Sequence, residues 1–165
     1  MTAQSKALEA LSQALKLERE GRAFYLKAAQ ETLDSQGHAM FLSLADDERR
    51  HAEMVERQLY ALEGQGAYVL LPDLKAPPID LKARLFPPQR KQVAAKVGSN
   101  PNELDALHMA LENEIKSYDL YRNAATETED AAGKTMYQWL AGAEMTHFNL
   151  LMSNYQALVD RGGWA

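Results

Sequence analysis

Leu44-Ala-Asp-Asp-Glu-Arg-Arg-His51 and Leu140-Ala-Gly-Ala-Glu-Met-Thr-His147 stand 96 residues apart and carry Leu, Ala, Glu and His at the same offsets. Extending outward from this pair, residues 8–62 align with residues 104–158 without a gap, and 20 of the 55 pairs are identical. The chain therefore holds two copies of one supersecondary unit. Shared Leu and Ala could reflect nothing more than a common apolar stripe. The identities Glu18/Glu114, Tyr25/Tyr121, Glu48/Glu144 and His51/His147 are polar and need another reason.

The apolar period inside each copy is helical. Leu8, Leu11, Leu15, Tyr25 and Ala29 recur at steps of three, four or their sums, as do Phe41, Leu44, Val55, Leu59 and Leu62. Copy two repeats the pattern through Leu104, Leu107, Leu111, Tyr121 and Ala125, then Met136, Leu140, Leu151 and Leu158. Asp34-Ser-Gln-Gly37 and Asp130-Ala-Ala-Gly133 supply turn formers between the helical runs, so each copy reads as a helical hairpin. Asn100-Pro101-Asn102-Glu103 offers a capping side chain, a proline at the first helical position and an acid at the third, which predicts the start of the third helix. Gly162-Gly163 predicts the end of the fourth.

Between the copies, residues 64–100 contain Gly64, Gly66, Pro72, Pro77, Pro78, Pro87 and Pro88, which rules out one continuous helix. The expected organisation is one all-α domain over residues 1–165: a hairpin at 4–63, a crossover connector at 64–100 and a hairpin at 101–161. A helix of about 28 residues is roughly 42 Å long, and an extended connector of this length spans it easily. The result is a four-helix bundle made of two repeated hairpins joined by a long crossover.

Six polar residues lie on the wrong face. Glu18 sits three residues after Leu15 and seven before Tyr25, inside the apolar stripe. Glu48 follows Leu44 by four, and His51 follows Glu48 by three and precedes Val55 by four. Glu114, Glu144 and His147 repeat the arrangement. Their levels also match: Glu18 is 16 residues before Asp34 and Glu48 is 14 after it, while Glu114 and Glu144 stand in the same relation to Asp130. Packing the hairpins about a pseudo-twofold axis then gathers four carboxylates and two imidazoles in the bundle centre. A buried, metal-free hydrogen-bond network is the blander reading, but it leaves costly unmatched acids. Two divalent cations balance four carboxylates, and oxygen-rich ligation with one imidazole per ion suits iron or manganese.

Tyr25 and Tyr121 share a face with the glutamates and are candidate hydrogen-bond donors to them. His38 and His108 lack a counterpart in the other copy and are expected in solvent, and Glu20 and Glu112 are expected as surface charges. The composition narrows the remaining classes. Eighteen Lys and Arg against 23 Asp and Glu give a formal charge of −5 and no basic block, so neither nucleic acid nor a membrane surface is an expected partner. With no cysteine, disulfides, thiolate zinc sites and iron–sulfur centres cannot form within these residues. The start, Met1-Thr-Ala-Gln-Ser-Lys-Ala-Leu8, lacks the layout of a signal peptide, which predicts a cytoplasmic location.

Glu18-Arg-Glu-Gly-Arg-Ala-Phe-Tyr25, Glu48-Arg-Arg-His51, the stretch from Glu114 to Tyr121 and Glu144-Met-Thr-His147 resemble rubrerythrin-like members of the ferritin-like superfamily. Leu85-Phe-Pro87 also looks like that family's linker. The resemblance implies a ferritin-like bundle with a carboxylate-bridged di-iron site, in which Glu48 and Glu144 bridge, Glu18 and Glu114 are terminal, and His51 and His147 complete the two irons. Manganese or a mixed iron–manganese centre would fit the same ligands. The implied activity is reduction of hydrogen peroxide or dioxygen, as a peroxidase or ferroxidase, with an iron-binding or redox-sensing protein as the alternative. Two departures qualify this. The family's additional carboxylate on the third helix is Ser117 here, and the cysteines of a rubredoxin-like iron centre are missing, so electrons are expected from a separate carrier protein. A homodimer is the expected assembly.

Overall fold

The computed structural model of the protein describes residues 1–72, 74, 80–88 and 101–165. Among the described residues there are four α-helices: α1 (Ala3–Glu31), α2 (Ser35–Gln65), α3 (Pro101–Glu127) and α4 (Ala131–Arg161). Their ends carry identifiable caps. The Thr2 hydroxyl accepts from the Ser5 amide at the start of α1, and the Asp34 carboxylate accepts from the amides of Gln36 and Gly37 at the start of α2. Asp130 accepts from the Gly133 amide in the same way. Gly66 and Gly162 close α2 and α4 in the left-handed region, at φ of 74° and 72°. The third helix starts at Pro101 as the sequence predicts, while its expected capping residue Asn100 lies outside the described residues.

Gly37 and Gly133 are not turn formers. Both lie inside helices, one turn beyond the true breaks at 32–34 and 128–130. Their reason is close approach. A Cβ on Gly37 would sit 2.6 Å from the Trp164 ring and 2.8 Å from a Thr32 methyl, and one on Gly133 would sit 2.9 Å from the Tyr68 ring. Each hairpin thus presents a bare patch of helix against which an aromatic residue from elsewhere in the chain packs. Gly37→Ala forfeits that contact: overpacking costs about 1–3 kcal/mol, which outweighs a helix-propensity gain of about 1 kcal/mol. Urea denaturation should show net destabilisation together with altered Trp164 fluorescence.

Helices α1 and α2 form one antiparallel pair, α3 and α4 the other, and α1 lies against α3 across the seam. Two apolar clusters fill the interior, one around Tyr25, Phe41, Leu107 and Leu151, the other around Leu11, Val55, Tyr121 and Leu140. Every helix passes from one cluster to the other at its inward-facing acids. In α1 the switch falls between Ala14 and Tyr25, with Glu18 between them; in α4 it falls between Ala141 and Phe148, with Glu144 and His147 between them. The polar centre is thus sealed at both ends by packed hydrocarbon.

The described parts of the connector are tied down by side chains of the bundle. Gln58, fully buried in α2, donates to the Val69 carbonyl (2.7 Å) and accepts from the Val69 amide (2.9 Å). Residues 80–88 then run antiparallel to α3: Arg122 donates to the Leu81 carbonyl (3.1 Å), Tyr118 to the Ala83 carbonyl (2.7 Å) and His108 to the Pro88 carbonyl (3.1 Å). His108 is therefore not in solvent, as its lack of a counterpart suggested. The connector covers it, and Glu112 sits 3.3 Å from its other ring nitrogen. Leu85 packs against both clusters, whereas Phe86 is exposed. Among the described residues, no helix is long and apolar enough to cross a membrane.

Candidate metal centre

Glu18, Glu48, His51, Glu114, Glu144 and His147 all meet in the middle of the bundle, and all six are buried. They form two groups of four. Glu18, Glu48, His51 and Glu144 each bring a ligand atom within 4.8 Å of the others, and so do Glu48, Glu114, Glu144 and His147. Glu48 and Glu144 belong to both groups. The imidazoles stack with ring centroids 5.6 Å apart. His51 turns Nδ1 toward Glu18 (3.4 Å), Glu48 (3.4 Å) and Glu144 (3.2 Å). His147 turns Nδ1 toward Glu48 (3.4 Å), Glu114 (3.4 Å) and Glu144 (3.5 Å).

Proximity here does not mean satisfaction. Glu18 Oε2, Glu114 Oε2, both oxygens of Glu144 and the Nδ1 atoms of His51 and His147 have no hydrogen-bond partner, although all are buried. A self-contained polar network would have paired them, since a buried unsatisfied polar atom costs about 1–3 kcal/mol. Their convergence on one interior is what a pair of cations requires, so the residues present fit two ions.

The electrostatics of the metal-free site follow from the same crowding. Burial drives Glu144 well above the ordinary carboxylate range, reinforced by the charges of Glu114, Glu48 and Glu18. Burial, then Glu18, pushes Glu48 up to about 8. In Glu18 and Glu114 burial also opposes ionisation, but the neighbouring protonated carboxyl, the imidazolium charges and the tyrosine donors outweigh it, leaving Glu18 at about 2 and Glu114 lowered. Burial would discharge His51 and His147, yet the acids around them hold both well above the usual imidazole value. Without metal, two ionised carboxylates therefore face two imidazolium ions while Glu48 and Glu144 keep their protons. The cluster is neutral in that form, as it is with four carboxylates around two divalent ions.

The tyrosines bind across the seam. Tyr25 of α1 donates to Glu114 of α3, and Tyr121 of α3 donates to Glu18 of α1. Each phenol thus orients the acid of the opposite hairpin, and burial holds both well above the ordinary tyrosine range. Sequence reasoning placed them on the correct face but could not give this exchange.

Two neighbours were missed by sequence reasoning. Asp47 accepts from His147 Nε2 at 3.0 Å, which leaves Nδ1 as the nitrogen facing the acids. Its counterpart in the other copy is Ala143; His51 instead meets the edge of Trp139, with centroids 5.6 Å apart, where the first copy has Ser43. With only 20 of 55 pairs identical in the repeat, neither mismatch stood out, and the sequence offered no signal for these two neighbours. Asp47→Ala is expected to weaken metal binding at the His147 group by about 10–100-fold and to spare the His51 group, which two-site titration calorimetry can resolve.

A cleft of about 80 Å³ between α1 and α3 leads inward past Gly21, Phe24 and Ser117 to Glu48 and Glu114. Gly21 keeps it open: a Cβ there would lie 3.7 Å from the Glu48 carboxyl carbon. Glu20 and Glu112 stay on the surface as expected, and so does His38, whose ring nitrogen contacts the Ala29 carbonyl at 2.6 Å.

A family model described as Rubrerythrin matches residues 9–155, a span that contains all six residues of the cluster. Among solved structures, the chain is similar to a hypothetical protein from Pyrococcus furiosus, with 22% identity, 93% of this chain and 90% of that chain covered, and a TM-score of 0.67. That likeness is one of fold. No curated protein matches the chain.

Proposed function

The chain belongs to the rubrerythrin family, and from that premise we propose that it is a non-haem di-iron oxidoreductase that reduces hydrogen peroxide or dioxygen. One observation carries the reading: two groups of buried ligand atoms share Glu48 and Glu144, and the atoms turned inward lack any other partner. Glu18 and His51 would hold one ion, Glu114 and His147 the other, with Glu48 and Glu144 between them. When bound, two ferrous ions supply the two electrons that cleave an O–O bond.

The chain's own residues supply the setting. Gly21 and Ser117, one without a side chain and one with a short one, line the cleft of about 80 Å³ that reaches Glu48 and Glu114, which is room for a small oxidant. Glu48 lines that cleft and holds a proton up to about pH 8 in the metal-free state. Tyr25 and Tyr121 fix the terminal acids by donating to them, and their raised pKa values keep them protonated in that role. The apolar clusters above and below exclude bulk water. With no cysteine in these 165 residues, the electrons for repeated turnover come from a separate carrier protein.

The absence of a carboxylate at Ser117 supports a second reading, an iron-binding or redox-sensing protein with little turnover. Stopped-flow mixing of the diferrous protein with peroxide separates the two. Oxidation within seconds, followed by cycling when a small rubredoxin-like carrier and its reductase are added, is the expected result. Indifference of the loaded protein to peroxide would move the assignment to the binder. Failure to retain iron or manganese at all would overturn both.

A further inference from the structure

The repeat builds two aromatic arms that lead away from the centre, and they differ at the middle and outer positions. On one side Tyr121, bonded to Glu18, lies with its ring centroid 6.3 Å from that of Tyr137, and Tyr137 lies 5.9 Å from Tyr68. The hydroxyls of Tyr137 and Tyr68 are 2.9 Å apart. On the other side Tyr25, bonded to Glu114, stacks on Phe41 at 6.1 Å, and Phe41 meets Trp164 at 5.8 Å. Phe41 and Tyr137 are counterparts in the repeat, and Trp164 and Tyr68 occupy counterpart places over Gly37 and Gly133. The first arm is phenol throughout. The second is interrupted by a ring that cannot be oxidised under the same conditions.

We propose that Tyr121, Tyr137 and Tyr68 form a one-way escape line for oxidising equivalents, which end on Tyr68 in a surface cavity and are quenched there by a neutral one-electron donor of the hydroquinone class. The proposal rests on the oxidoreductase reading. Reduction of one peroxide to two waters takes two electrons and two protons. When the centre can supply only one electron, the second comes from the tyrosine line, and Tyr68 loses its hydroxyl proton to water as it becomes a neutral radical. One electron and one proton from the donor restore it. The cavity at Tyr68 has a volume of about 500 Å³, enough for a small organic molecule. Glu127, Glu129 and Asp130 outnumber Lys6 around it, which disfavours an anionic donor. Tyr121 is sealed from solvent and away from the cavity, so a radical left there would be out of the donor's reach, whereas Tyr137 borders the cavity with almost no exposed surface and Tyr68 presents the accessible ring.

The test loads the full chain with one ferrous ion per molecule, adds one equivalent of peroxide without air, and freezes the mixture for electron paramagnetic resonance. Iron content is measured in parallel. The expected result is a tyrosyl signal that is lost in Tyr68→Phe and quenched by hydroquinone. Tyr137→Phe, with unchanged iron content, should lower the Tyr68 signal at least tenfold and leave a radical that hydroquinone quenches slowly. Phe41→Tyr should open the second arm and add a tryptophanyl signal that disappears in Phe41→Tyr/Trp164→Phe. An unchanged Tyr68 signal in Tyr137→Phe overturns the line, as does bound iron oxidised by peroxide with no organic radical. If iron is not retained, the oxidoreductase reading falls and the line, which then has no source of oxidising equivalents, falls with it.

Discussion

Titrating the metal-free protein with ferrous ion at pH 7 should release about four protons for every two ions bound, one each from Glu48, Glu144, His51 and His147. The four groups have folded-state pKa values above their unfolded ones, so their contribution to the stability of the metal-free fold is full at low pH. For Glu48 it is complete below about pH 4.5 and is lost as pH rises through about 8. For the imidazoles it is complete below about pH 6.5 and is lost only above their raised folded values. Glu18 and Glu114 act in the opposite sense, contributing above about pH 4.5; for Glu18 the contribution fails as pH falls toward about 2, and for Glu114 as pH falls through its lowered folded value. On these groups alone the metal-free protein should therefore melt highest at about pH 4.5–5 and lower at pH 8. Metal binding has the reverse dependence, because every ligand must be deprotonated. With free metal a hundredfold above Kd, each ion adds about 2.7 kcal/mol, or roughly 5–11 °C in a chain of this size. The gap between loaded and metal-free melting temperatures should widen from pH 5 to pH 8. A gap that narrows, or a calorimetric titration with no buffer-dependent proton release, would contradict the charge assignment.

Glu144→Gln should have the largest effect of any single substitution on metal content. Glu144 has no exposed surface, belongs to both groups, and has no hydrogen-bond partner for either oxygen. An amide of the same shape removes the shared charge without opening a cavity. Metal analysis should find one ion or fewer where the proposed site of the parent takes two, and the metal-dependent rise in melting temperature should shrink accordingly. The metal-free variant should be at least as stable as the parent at pH 8, because the carboxyl that resists ionisation is gone. Glu18→Gln touches one group only and should keep the ion held by Glu48, Glu114, Glu144 and His147. Two tightly bound ions in Glu144→Gln would show that this residue is not shared.

The six inward residues were legible because a helix converts sequence spacing directly into angular position, and a carboxylate on an apolar stripe contradicts its surroundings. The duplication made the contradiction visible twice. Less could be read where contacts depend on how the hairpins meet. Tyr25 was assignable to a face, but its bond to Glu114 joins residues 89 positions apart on different hairpins. Asp47 is partly exposed and looks like any helical surface acid until His147 is placed beside it. His108 was misjudged because its burial comes from residues 80–88, an irregular segment whose path no periodicity describes. Gly37 and Gly133 read as punctuation, although their role is to admit an aromatic ring that arrives from far along the chain.

Each group draws three residues from one hairpin and one from the other: Glu144 completes the set on α1 and α2, and Glu48 completes the set on α3 and α4. Neither set is whole until the hairpins dock, which gives the folding pathway a definite order. The contacts within each hairpin are comparatively local and can form early, whereas docking must bring four acids and two imidazoles out of water together. The electrostatic barrier therefore lies at the last step. Divalent metal present during refolding should speed that step and leave hairpin formation unchanged, so the fast phase of a refolding trace should be indifferent to metal and the slow phase should depend on its concentration.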